Sequence, residues 1–204
     1  MRISSRPIEE ISWDLDEIRK IAFIAGAASQ YKTRLAEDLR SAVAGCFELL
    51  VAEAFSVNLG LKYFLSCEVE PPPCVVWNGQ LDLSGDKFVP KCAPRGKPDI
   101  EVYTPDGVWI VDATLAGEKG VQLAEARRLK RHDPTIASSI NRRILVMLSP
   151  RIKYENVEVI EAKALVPAQP RRGENSYVEE LIKLIKEKVF FLSVKPSAGH
   201  ELSL

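Results

Sequence analysis

The spacing of apolar residues predicts a chain that begins with helices and continues with strands. Two segments, 7–28 and 33–57, repeat apolar residues every three or four positions, which is the period of an amphipathic helix. Pro71-Pro72-Pro73 then interrupts this pattern. The prolines therefore separate a helical part, residues 1–70, from a part rich in β-strands.

Two hairpins are predicted after the prolines. In the first, Cys74–Trp77 is joined by Asn78-Gly79 to a strand at 81–83, and a further strand is predicted near 87–92. The second is the clearest in the chain. It joins strands at 99–103 and 108–115 through the turn Thr104-Pro105-Asp106-Gly107.

The rest of the chain alternates helices and strands. Helical periodicity recurs at 120–132 and 176–192, and apolar runs at 141–148 and 157–160 predict buried strands. This order predicts the α/β class, with a short mixed β-sheet flanked by helices. We expect one domain over 1–204, made of the helical N-terminal part (1–70), a sheet-and-helix core (74–192) and a tail (193–204).

Composition excludes several classes of protein. The chain has 204 residues, of which 46% are hydrophobic, and 28 basic residues balance 28 acidic ones. It can therefore build a core, and extensive disorder is excluded. No uninterrupted apolar run of membrane-spanning length occurs, and the charged N-terminus lacks the apolar centre of a secretory signal. We expect a cytoplasmic protein without a membrane partner. Without a signal peptide, its four cysteines are expected to be free thiols. The chain has no CxxC pair, which argues against a zinc site.

The second predicted hairpin contains two aspartates that would face each other. With its turn centred between Pro105 and Asp106, Asp99 lies directly opposite Asp112 on one face, with Cβ atoms about 4.5–5.5 Å apart. Such a pair needs a shared proton, a basic partner or a cation, and Mg²⁺ is the simplest choice. The alternative is a register shifted by one residue, which would direct the two aspartates to opposite faces.

One face of the following helix carries polar groups. Gln122, Glu125, Leu129 and His132 fall at i, i+3, i+7 and i+10. An amide, a carboxylate and an imidazole would therefore point the same way. Two ordinary explanations remain open: a histidine in a last turn is favoured by the helix dipole, and Glu125 could form an ion pair with Arg128.

A basic segment follows in this otherwise neutral chain. From Arg127 to Lys153 there are eight Lys or Arg residues and one acid, Asp133. Cations beside carboxylates suit a phosphodiester substrate, although an ordinary solvated surface would look similar. The candidates for DNA binding are Arg128, Arg131, Arg142 and Arg143.

The spacing of these residues resembles a nuclease signature. Pro98-Asp99, twelve intervening residues and Asp112-Ala113-Thr114 resemble the PD-(D/E)XK motif, with Thr114 in place of its lysine. The continuation through Leu115, Gly117, Gln122, Glu125 and Arg131-His132 is similar to AlwI-type type IIS restriction and nicking endonucleases and their small subunits. Phe47-Glu48 resembles the family's acidic position on the preceding helix.

This resemblance implies a fold, a cofactor and a set of site residues. The implied fold is a restriction-endonuclease-like core, and the implied activity is that of a Mg²⁺-dependent endodeoxyribonuclease acting on double-stranded DNA. Asp99 and Asp112 would hold Mg²⁺, with Mn²⁺ as a substitute, and Glu48, Glu125 and His132 complete the catalytic set. The expected partner is a second copy or a recognition subunit. A repair or structure-specific nuclease and an inert nucleic-acid-binding subunit are the alternatives.

Overall fold

The structure is a computed structural model, and it describes residues 34–65, 73–82, 89–136 and 138–165. The predicted helices at 7–28 and 176–192 and the tail at 193–204 lie outside the described residues. The elements that are described are, in chain order, α1 (Arg34–Leu59), β1 (Tyr63–Leu65), β2 (Cys74–Trp77), β3 (Gln80–Asp82), β4 (Val89–Lys91), β5 (Ile100–Thr104), β6 (Gly107–Thr114), α2 (Lys119–Leu129), β7 (Ile140–Met147), β8 (Glu158–Glu161) and α3 (Ala162–Leu165).

The described strands form a mixed six-stranded sheet and a separate two-stranded ribbon. The order in the large sheet is β1-β2-β5-β6-β7-β8. β5 runs antiparallel to β2 and β6, whereas β1 and β2 are parallel to each other, as are β6, β7 and β8. Helices cover this sheet, so the predicted α/β class with a mixed sheet is confirmed.

Each face of the large sheet has its own core. Successive side chains of a strand point to opposite faces, and β6 sends Val111 and Ala113 to the α1 side but Val108 and Ile110 to the α2 side. On the α2 side the core includes Ala126. The helix α1 therefore belongs to the same core as the strands, although it lies in the predicted helical N-terminal part.

α1 is long and apolar enough to cross a membrane by length and composition. In the structure, however, 72% of the apolar window Arg40–Leu59 is buried. Phe47, Leu50 and Val51 pack in the core against the sheet. These contacts are typical of the central helix of a folded core.

The first predicted hairpin is wrong. β2 pairs with β5, so that Trp77 lies opposite Ile100, and β3 pairs instead with β4. The physical reason is burial: all four β2 residues are buried, as expected for an inner strand. Asn78 extends the pairing, because its backbone N–H donates to the Asp99 carbonyl (2.9 Å) and its side-chain amide to the Pro98 carbonyl (3.0 Å).

The second predicted hairpin is confirmed in its register. Ile100 lies opposite Val111 and Tyr103 opposite Val108, so the alternative of a one-residue shift is excluded. Gly107 has φ +139°, and a Cβ there would meet the Ser139 carbonyl at 2.6 Å. A glycine is therefore required at the end of this turn.

Candidate active site

Asp99 and Asp112 lie side by side at one end of the β5–β6 hairpin. The Asp99 backbone N–H donates to Asp112 Oδ1 (3.2 Å), and the Ala113 backbone N–H donates to Asp99 Oδ2 (2.8 Å). Both side chains are buried. The hairpin thus fixes each carboxylate through the backbone of the opposite strand, as the register predicted.

Glu48 brings a third carboxylate from α1. Its Oε2 atom accepts hydrogen bonds from Trp77 Nε1 and from the Ala93 backbone N–H, each at 3.1 Å. Burial raises the pKa of Glu48 to about 8, against the opposing effect of the Trp77 hydrogen bond. Burial also holds the pKa of Asp99 well above its usual range, and the charges of Glu48 and Asp112 add to this.

These groups surround a cavity of about 430 Å³ between α1 and α2. Its wall includes Glu48, Asp99, Thr114, Glu125 and Arg128. The cavity lies where β6 ends, and the ends of strands in α/β sheets are common positions for ligand sites. Of the predicted catalytic residues, Glu48, Asp99 and Glu125 therefore share one concave surface, and Asp112 and His132 lie behind its wall.

Arg128 bridges two of the carboxylates. Its Nη2 atom lies 2.8 Å from Glu125 Oε2 and 3.3 Å from Asp112 Oδ2, and half of the side chain is exposed. Burial raises the pKa of Glu125, and the charge of Arg128 opposes the shift. The ordinary explanation of Glu125 as the partner of Arg128 is therefore confirmed, yet this ion pair lies at the wall of the cavity.

His132 contacts the site from the segment after α2. Its Nδ1 atom lies 3.3 Å from the Gly96 carbonyl, and its Nε2 atom lies 3.3 Å from Asp112 Oδ2. The Nε2 contact is electrostatic, because this atom makes no hydrogen bond of good geometry with the described residues. The interaction with Asp112 raises the pKa of His132. With Nδ1–H donated to Gly96, Nε2 attracts Asp112 only when it too is protonated.

Gln122 and Thr114 stabilise the backbone around the cavity. Gln122 Nε2 donates to the carbonyls of Ala116 (2.8 Å) and Ser149 (2.9 Å), and its Oε1 accepts the Arg151 backbone N–H (2.9 Å). Thr114 Oγ1 accepts the Ala116 backbone N–H (3.2 Å). Thr114 stands where the sequence resemblance would place a lysine, and it provides no cation there.

The four arginines predicted to bind DNA lie in different environments. Arg128 contacts the carboxylate cluster, which consists of Glu48, Asp99, Asp112 and Glu125, and Arg131 is exposed. Arg142 lies 4.4 Å from the centre of the Trp109 ring and forms an ion pair with Glu158.

Arg143 is used within the protein. Its Nη1 atom donates to the carbonyls of Leu129 (3.2 Å) and His132 (3.0 Å), at the end of α2. Arg142 and Arg143 thus make internal contacts, and a role for them in DNA binding stays a prediction.

The sequence pattern alone did not single out Glu101, which is fully buried in β5. Its carboxylate accepts hydrogen bonds from the Tyr103 hydroxyl (2.8 Å) and from the Thr135 backbone N–H (2.7 Å) and hydroxyl (3.0 Å). These bonds anchor the segment that follows His132. The signal was present in strand alternation, because Glu101 lies two residues after Asp99 and therefore on the same face.

The cluster also has a donor chemistry that bears on its fit to a divalent cation. No three His, Cys, Asp or Glu side chains among the described residues are arranged as a ready metal site. The donor chemistry nevertheless fits a hard cation, because buried carboxylates that repel each other bind a proton or a cation more favourably than they remain charged. Asp99, Asp112 and Glu48 are the residues that would hold it.

The fold and the site together define an α/β protein with a buried carboxylate cluster at the end of a mixed sheet. No protein-family model matches the chain, and no curated protein matches it. Among solved structures, the chain is similar to the small subunit of the heterodimeric restriction endonuclease R.BspD6I, at 18% identity and a TM-score of 0.43, over 85% of this chain and 88% of that one.

Proposed function

We propose that this protein is a metal-dependent DNA endonuclease of the AlwI type, acting as a restriction enzyme or its cleavage subunit. The observation that supports the proposal is the pairing of Asp99, which lines the cavity, with the fully buried Asp112 through reciprocal backbone hydrogen bonds. The spacing of these residues is the one that resembles the nuclease signature.

Asp99, Asp112 and Glu48 would hold Mg²⁺, or Mn²⁺ in its place. When bound, such a cation neutralises phosphoryl oxygens and lowers the pKa of a bound water. The substrate would be the phosphodiester backbone of double-stranded DNA. A single site acts on one strand, so cutting both strands would require a second copy or a partner subunit.

Three side chains would take the roles of the motif's lysine. Arg128 and His132 would supply positive charge, and Glu125 would accept a proton. Arg128 is half exposed at the cavity, so its guanidinium can turn from Asp112 towards a phosphate oxygen. The contact of His132 with Asp112 raises the pKa of His132 and so favours a positive charge beside the cluster. Glu125 has a raised pKa and lines the cavity. Its carboxylate is therefore a better acceptor than His132 for a proton from the attacking water.

The test is cleavage of supercoiled plasmid in Mg²⁺ or Mn²⁺, with EDTA as the blank. Asp112→Asn should lower the rate by roughly 10³-fold, because several kcal/mol of charge stabilisation depend on this carboxylate. The matched control is Asp106→Asn, an exposed acid at the other end of the same hairpin, which should cleave like the wild type. Equal rates for Asp112→Asn and Asp106→Asn, from folded proteins, would overturn the assignment.

A second candidate function is that of an inert DNA-binding subunit. The observation that favours it is the neutralisation of Asp112 by Arg128 and His132, which leaves less need for a metal ion. Titration calorimetry with Mn²⁺ separates the two proposals. Binding that is lost in Asp112→Asn supports the nuclease, and no binding to the folded wild type supports the inert subunit.

A further inference from the structure

The turn between β4 and β5 is an exposed basic element. Residues 94–97, Pro-Arg-Gly-Lys, are all exposed. The Lys97 backbone N–H donates to the Pro94 carbonyl (3.2 Å), and Gly96 has φ +91°. This left-handed backbone favours glycine, so the turn keeps a defined shape while it presents two cations to solvent.

The same turn is attached to the candidate active site at two points. The Gly96 carbonyl contacts His132 Nδ1 at 3.3 Å, and His132 in turn contacts Asp112. Just before the turn, Ala93 lines the cavity and donates its N–H to Glu48. Arg95 and Lys97 are therefore within a few residues of contacts to the carboxylate cluster.

The positive charge of this turn is not compensated within the described part of the chain. Neither Arg95 nor Lys97 forms an ion pair with a described residue, and exposed Asp133, which follows His132, does not pair with them. Arg131, also exposed, precedes His132 at the end of α2. Basic side chains thus flank His132 from two separate elements.

We infer that the turn at 94–97 binds backbone phosphates of DNA beside the bond to be cut, with Arg95 and Lys97 as the binding residues. The inference rests on the proposed nuclease function and adds to it a DNA-contacting element outside the predicted basic segment. Phosphate contacts of this kind set the position of a duplex without reading its sequence. Because the turn contacts His132, the position of the bound duplex would be fixed relative to the carboxylates.

The test is the salt dependence of DNA binding. A fluorescent duplex is titrated with wild-type protein and with Arg95→Gln/Lys97→Gln in EDTA, over NaCl concentrations from about 50 to 200 mM. The double variant should lower the slope of log K against log[salt] by about 1.8, since each phosphate contact contributes about 0.9. The ratio of wild-type to variant affinity should therefore shrink roughly twelvefold between about 50 and 200 mM NaCl.

The matched control is Lys62→Gln/Lys163→Gln. Both lysines are exposed. Lys62 follows the C-terminal end of α1, and Lys163 lies near that end, where Asn58 donates to the Leu165 carbonyl. This end of α1 is about 16 Å from Glu48. The control should keep the wild-type slope. A wild-type slope in Arg95→Gln/Lys97→Gln would overturn the inference, whereas plasmid cleavage that depends on Asp112 would leave the nuclease proposal standing. A wild-type chain that neither binds the duplex nor cleaves the plasmid would overturn both.

Discussion

The two faces of the central sheet differ in chemistry although the same strands build them. Towards α1, β5 to β7 present apolar side chains such as Val102, Val111 and Ile144. Towards α2, the alternate positions of β5 and β6 include Glu101 and Asp112, both fully buried. The difference shows that a single strand can stabilise the fold with one set of residues and hold charged groups with the other.

Polar residues on the α2 side are buried only because each has a specific partner. Glu101 is held by Tyr103 and Thr135, and Asp112 by Arg128 and His132. A buried charge without such contacts would cost several kcal/mol. We therefore expect substitutions on the α1 side to act mainly on stability, and substitutions in the carboxylate cluster to act mainly on activity and on its pH dependence.

The largest expected effect is loss of stability from the α1 side. Ile144→Ala should lower the free energy of unfolding by about 2–5 kcal/mol, because it leaves a cavity at a fully buried position. Ile144→Val, the control, should cost about 0.5–1.5 kcal/mol. Urea denaturation measures both. A loss below 1 kcal/mol for Ile144→Ala would contradict the tight packing of this face.

The next effect is a pH dependence that comes from the carboxylate cluster. Glu48 has a pKa near 4.5 when unfolded and about 8 when folded, so the folded state binds more protons between these values. The contribution of Glu48 to stability is therefore largest below about pH 4.5 and falls as pH rises towards 8, by at most about 1.4 kcal/mol per pH unit.

Glu48→Gln should flatten this dependence, since an amide oxygen can still accept from Trp77 and Ala93 but does not titrate. Thermal unfolding in EDTA from pH 5 to pH 8 provides the measurement. If the variant and the wild type lose stability in parallel, Glu48 is not the titrating group.

The smallest effect is expected at the edge of the α1 side. Arg142→Gln removes an exposed ion pair with Glu158 and the contact with Trp109, and it should cost no more than about 1 kcal/mol. Its DNA-binding slope should stay close to that of the wild type, because the guanidinium is used within the protein. A slope change near 0.9 would instead restore the sequence-based prediction that Arg142 contacts DNA.

The confirmed parts of the fold were those that local patterns specify. The turn residues 104–107 fixed the register of β5 with β6, and the register alone placed Asp99 beside Asp112. The period of the following helix placed Gln122, Glu125 and Leu129 on one face, and Gln122 and Leu129 are buried; the predicted helix over 120–132 ends at Leu129, so His132 reaches the site from the segment after it. In each case the register or the helical period depends on residues within one hairpin or one helix.

The missed parts depend on contacts between distant segments. Asn78-Gly79 has the composition of a hairpin turn, but β2 is drawn into the sheet by β1 and β5, which no local pattern reveals. The internal roles of Arg142 and Arg143 depend on Trp109 and on carbonyls at the end of α2. A run of basic residues shows the total charge but not which side chains remain exposed.

The exposed turn at the far end of the β5–β6 hairpin is under an unusual constraint on its length. It lies about 17 Å from Asp112, at five residues and about 3.3 Å for each. Loops so far from a site normally accept insertions and deletions freely. Here an insertion or deletion that shifted the β5–β6 register would move Asp99 and Asp112 out of alignment, so natural variation at this turn should change amino acids but keep their number.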